Sequence, residues 1–201
     1  MFTKKGKSNT LDSARQVVKE KSLEIADKMS RLTDHLDMIK DMNTIDSREI
    51  YEKEKNILIS LYDYYCKFQK IYFDLSFSQI LNPVDTATVK NIDIKNFVNQ
   101  IKSLHKQDYE VTISSLKDDD ICHIKKSYDQ LENDVDKLAG TLIHIQSAII
   151  VQEISPIEQE VMLEKLNNLI NNSSVSDEYK NIEDNYLKFI DEYNTSKEIF
   201  N

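Results

Sequence analysis

Only two glycines, Gly6 and Gly140, and two prolines, Pro83 and Pro156, interrupt 201 residues. Glycine and proline supply the backbone conformations that tight turns need. A β-sandwich, a β-barrel or a doubly wound α/β sheet is therefore hard to build from this chain. The two glycines stand 134 positions apart, which leaves no glycine-rich phosphate loop, dinucleotide fingerprint or nucleophile elbow. What survives is long helix.

The apolar spacing says the same. Leu11, Val18, Ile25, Leu32 and Ile39 recur every seven residues, the stripe of an amphipathic helix. Ile57, Leu61, Tyr64, Phe68, Ile71 and Leu75 follow in steps of four and three, with Leu58, Tyr62, Tyr65 and Tyr72 as a second apolar shoulder. A helix apolar on two sides touches more than one neighbour. Asn82-Pro83 ends this stretch, because proline lacks an N–H and pushes the preceding residue out of helical geometry. Unbroken, residues 11–81 make a rod on the order of 100 Å long. Asn43, Thr44 and Ser47 are weak helix formers, and a kink or break near 43–47 with Ser47 as cap is the alternative.

A second stretch, about 85–153, restarts with Asp85 or Thr86 as cap and slips in phase after Leu104. Its second half carries the clearest pattern in the chain: Ile121, Ile124, Tyr128, Leu131, Val135, Leu138, Leu142, Ile145 and Ile149, in unbroken steps of three and four. Such a stripe is what a dimer or a helical partner uses. Ala139 and Gly140 beside it predict a close approach of another backbone. Ser155-Pro156-Ile157-Glu158 reads as a capping box with proline in the first turn and opens a third stretch, about 156–199, broken near 171–176.

Charge is divided unevenly. Lys4, Lys5, Lys7, Arg15, Lys19 and Lys21 against Asp12 and Glu20 put +4 on residues 1–21, leaving −13 on the rest of a chain whose total is −9. Residues 1–10 read as a basic, flexible head, and 11–201 as a single elongated helical domain. Lys4, Lys5, Lys7, Arg15 and Lys19 are the candidates for contact with an anionic membrane or an acidic partner. With arginine so rare, the bidentate forks that read phosphates and guanines are scarce, which argues against nucleic acid. Cys66 and Cys122 are the only cysteines and read as reduced thiols of a cytoplasmic protein.

Catalytic chemistry finds no constellation. Asp118, Asp119, Asp120, Cys122 and His123 lack the glycine of a calcium loop and a second ligand pair at zinc spacing. No Glu-x-x-His pair supplies a di-iron bundle. The four histidines are scattered, with His144 beside the strong stripe. The expectation is a non-enzyme without metal, cofactor or small-molecule substrate. The aromatic residues at 62–77 and 179–193 read as core, and Leu75, Phe77, Ile80 and Leu81 as an apolar tip beside Pro83.

Three long helices joined at Asn82-Pro83 and Ser155-Pro156, with a kink or slip in the first two, resemble the layout of BAR-type membrane-shaping domains. The stretch from Ile94 and Phe97 through Lys125, Lys126, Tyr128 and Asp129 to Val135 and Leu138 is similar to the second-helix pattern of that family. The head Met1-Phe2-Thr3-Lys4-Lys5-Gly6-Lys7 is similar to the membrane-inserting segment some members carry. The resemblance implies an all-α, elongated, coiled-coil-like bundle of three kinked antiparallel helices that forms a homodimer. It further implies a lysine-rich face for anionic lipid, using Lys90, Lys95, Lys102, Lys106, Lys125 and Lys126, and peripheral attachment to a membrane. The other reading of the same stripes is a coiled-coil subunit of an intracellular complex, of tether, cytoskeletal or chromosome-segregation type, with helical protein partners and no direct lipid binding.

Overall fold

The computed structural model describes residues 5–81, 84–151, 155–171 and 175–199, with side chains over 12–81, 84–151, 155–168 and 177–195. Among the described residues the fold is all-helical: α1 (Lys5–Ile39), α2 (Ile45–Ile80), α3 (Thr86–Asn91), α4 (Ile94–Ser114), a 3-10 turn (Asp118–Asp120), α5 (Ile121–Val151), α6 (Pro156–Asn171) and α7 (Val175–Ile199). No described helix is long and apolar enough to cross a membrane.

The expected run over 11–81 is two helices folded back on one another. The break lies at residues 40–44, and Thr44 rather than Ser47 is the cap: its Oγ1 accepts the Ser47 N–H at 3.1 Å. That hydrogen bond occupies a backbone donor the first helical turn leaves free. Near the turn His35 Nδ1 lies 2.6 Å from a Glu54 carboxylate oxygen, and at the far end the Gln79 amide donates to Asp12. The two helices are thus antiparallel along their length, and Val18, Ile25, Leu36 and Leu58 are buried. A continuous rod would leave both apolar faces in water, which is why the hairpin forms.

The second stretch also folds back. Asp85 caps α3 through the Thr88 N–H at 2.7 Å, and Asp93 caps α4 through the Asn96 N–H at 3.0 Å. The α4 and α5 helices then run antiparallel, joined by Lys102–Asp136 at 2.6 Å, His105–Glu132 at 3.1 Å and a Tyr109–Tyr128 ring stack with centroids 4.4 Å apart. The Gln146 amide donates to the Val89 and Ile92 carbonyls, at 2.8 and 2.6 Å, fixing α3 beside the end of α5. Ser155 and Glu158 exchange the expected reciprocal bonds, at 2.7 and 3.3 Å, at the start of α6.

At the centre is α2. It packs against α1, α5, α6 and α7, and its Phe73 and Phe77 meet Phe97 of α4 at ring distances of 6.3 and 4.9 Å. This is the two-sided apolar helix of the sequence, and Leu61, Tyr62, Phe68, Ile71, Phe73 and Phe77 are buried in it. Of the expected apolar tip, Leu75, Phe77 and Leu81 are core and only Ile80 is exposed. The α7 helix lies antiparallel to α2, with Phe68 edge-on to Tyr179 and Tyr186 at 5.9 and 6.0 Å.

The α5 stripe offered for a second chain is consumed within this one. Ile124, Leu131, Val135, Leu142, Ile145 and Ile149 are buried, and Ile121, Tyr128 and Leu138 pack partly buried against the same core. The physical reason is the hairpins, which bring α2 and α4 of the same chain onto the face a partner would have covered. Ala139 is buried, but a Cβ built on Gly140 meets nothing within 4 Å. Gly140 therefore marks no close backbone approach. His144 is exposed.

Candidate interaction cleft

The polar groups that converge are mostly fasteners between helices. The Tyr51 hydroxyl donates to Asp120 Oδ2 at 2.9 Å and accepts the Lys117 N–H at 2.8 Å, while Lys55 Nζ reaches Asp120 Oδ1 at 2.9 Å. Burial pushes the Tyr51 phenol up to about 12, with Asp120 adding to the rise. The 3-10 turn is thereby tied to the start of α2. Asp120 was legible in the sequence only as part of an acidic run at a helix start. Its actual partners on α2 lie more than 60 residues away, a distance no local pattern reports.

Other titratable groups are fastened in the same way. Burial works against the charge of Lys70, but Asp74 and Glu178 outweigh it and hold the lysine above its ordinary pKa. Burial pushes the Cys66 thiol well up, which makes it an inert core residue rather than a nucleophile. Cys122 is exposed.

A different situation holds between α1 and α4. These helices run in the same direction and are clipped at their C-terminal ends, where Lys40 Nζ donates to the Ser114 carbonyl at 2.8 Å. Toward their middles they leave a cleft of about 320 Å³ floored by α2. Lys19, Ser22, Leu23 and Ala26 of α1 form one wall, Ile101, Leu104, His105 and Asp108 of α4 the other, with Tyr65, Gln69, Tyr72 and Phe73 beneath. Leu23 and Leu104 remain 59% and 61% exposed. Two large apolar side chains thus stand in water on the walls of an apolar hollow.

The polar groups of the cleft differ in how well they are satisfied. Tyr65 donates to Asp108, and His105 lies against Glu132. Ser22 is 5% exposed, and its hydroxyl has no hydrogen-bond partner among the described residues. An orphaned buried hydroxyl costs about 1–3 kcal/mol. Ser22→Ala is accordingly expected to raise the unfolding free energy by about 1 kcal/mol, since alanine also suits a helix better. The thermal midpoint should rise by about 2–4 °C, and a fall in the midpoint would show that the hydroxyl is bonded.

Of the basic residues assigned to a membrane or acidic partner, Lys4 lies outside the described residues, as do the side chains of Lys5 and Lys7 on the first turn of α1. Arg15 is half-buried, whereas Lys19 is exposed at the cleft and makes no ion pair among the described residues. Within the lysine face that the resemblance implied, Lys102 is bound to Glu132 and Asp136, and Lys106 to Glu110. The cleft itself was missed in the sequence. Its only trace there is the phase slip after Leu104, where the α4 stripe leaves an apolar residue on the outside. Set beside known proteins, this chain matches no family, no curated protein and no solved structure.

Proposed function

We propose that the protein is a non-enzymatic helical scaffold, a subunit of an intracellular multiprotein complex that works by docking to other proteins. The observation that carries this reading is the end of α5 and the start of α6. Ile150, Val151, Ile157 and Val161 are all exposed there, Ile157 by 74%, although the bundle has an extensive core of its own. Exposed apolar side chains of this size are what a protein contact buries.

The test places a photoreactive amino acid at Ile157 in cells. The expected result is a discrete cross-linked product with another protein, lost when Ile150 and Val161 are replaced by Lys while helicity and thermal midpoint hold. Absence of any product from the parent overturns the reading.

The BAR-type reading expected a dimer built on the α5 stripe and loses that support, because the stripe is buried within the chain. Its membrane component keeps one support, the net positive charge of residues 1–21 on an acidic body. Co-sedimentation with phosphatidylserine vesicles separates the two. The membrane reading expects binding that disappears in the triple variant K4E/K5E/K7E, and the scaffold reading expects none from either chain.

A further inference from the structure

We propose that the α1–α2–α4 cleft is a homodimer interface, in which a second copy of the same patch fills it across a two-fold axis. This surface is separate from the α5–α6 face, and the inference does not depend on the reading given above.

The size of the hollow comes first. Its walls span residues 19–26 of α1 and 101–108 of α4, about 10 Å of helix on each side. A volume of about 320 Å³ holds a few large side chains but not a helix, which is about 10–12 Å across. The occupant therefore presents knobs rather than a rod. The chemistry of the cleft then describes the occupant. Apolar walls ask for apolar knobs; Lys19, with no ion pair among the described residues, asks for a carboxylate; Asp108 asks for a cation beyond the hydroxyl of Tyr65. The patch itself meets that description, for it carries Leu23 and Leu104 standing exposed, together with Asp108 and Lys19.

An isologous interface requires this kind of self-complementarity, in which residue i meets residue j and residue j meets residue i. Leu23 and Leu104 of one copy enter the cleft of the other, and Lys19 of each copy faces Asp108 of its mate. A small anionic or cationic ligand would satisfy only one of the two charges. A strongly charged partner would be opposed by the other.

The experiment is sedimentation equilibrium of the full chain and of two charge reversals, K19E and D108K. The parent is expected to be a dimer. Each variant alone places like charges together twice across the axis and should associate at least about tenfold more weakly. Mixed in equal amounts, the two variants should form a heterodimer of parental affinity. The two reversed side chains then face each other with opposite charge at one end, and the native pair of Lys19 with Asp108 is kept at the other. The mixture also controls for folding, because D108K removes the acceptor of Tyr65, and a misfolded chain cannot be rescued by a mate. L104E is a second disruptor, expected to be monomeric with an unchanged helical signal. A parent that is monomeric throughout, variants that stay dimeric, a mixture that shows no recovery, or a co-purifying small molecule displaced by L104E would each overturn the proposal.

Discussion

Replacing Phe68 by Ala is expected to lower the unfolding free energy by about 3–5 kcal/mol, the range for deleting a fully buried aromatic side chain. Phe68 is buried in the middle of α2 and holds Tyr179 and Tyr186 of α7 edge-on. Tyr186 in turn donates to Glu24 of α1 at 3.3 Å, with Lys21 Nζ 5.4 Å from its ring centre. One side chain therefore supports the seam at which α1, α2 and α7 meet. Domains of ordinary stability have about 5–15 kcal/mol in total, so the variant should be marginal. Urea unfolding followed by circular dichroism and tyrosine fluorescence, the chain having no tryptophan, reads the change. Phe68→Leu keeps most of the volume and should cost no more than about 1.5 kcal/mol. A loss under about 1 kcal/mol for the alanine variant, well below the range for a buried ring, would mean that α7 is not seated on α2.

The second large effect concerns the strong stripe of α5. Leu142→Ala is expected to cost about 2–5 kcal/mol, because Leu142 is buried against its own chain. The same variant should leave the association state unchanged at concentrations where it is folded. A stripe that joined two chains would lose mass in sedimentation together with stability, since association and folding would then be linked. The two readings of one heptad pattern thus separate in a single pair of measurements.

That ambiguity shows what was legible in the residues and what was not. Periodicity reports which face of a helix is apolar. It does not report which apolar face it will meet. The stripe from Ile121 to Ile149 has the same spacing whether α2 and α4 of its own chain cover it or another molecule does. The apolar shoulders of α2 were sufficient to place it among several neighbours, and all-helical structure followed from the shortage of glycine and proline. Ser155 to Glu158 was recognisable because a capping box is a local exchange of hydrogen bonds. The break at residues 40–44 was harder: the weak helix formers there marked the region, but Thr44 rather than Ser47 is the residue that caps α2.

The cleft was legible least of all. Lys19, Leu23, Leu104 and Asp108 are ordinary residues of two amphipathic helices, and nothing in their spacing relates the first pair to the second. By itself the sequence determined the helical class, the start of α6, the apolar faces and the uneven charge, because each is set by interactions within a few residues along the chain. The folded structure decided the hairpins, the burial of the α5 stripe, the union of Tyr51 with Asp120 and the gap between α1 and α4. Those depend on how several helices share one limited volume, a condition that no single helix carries in its own pattern.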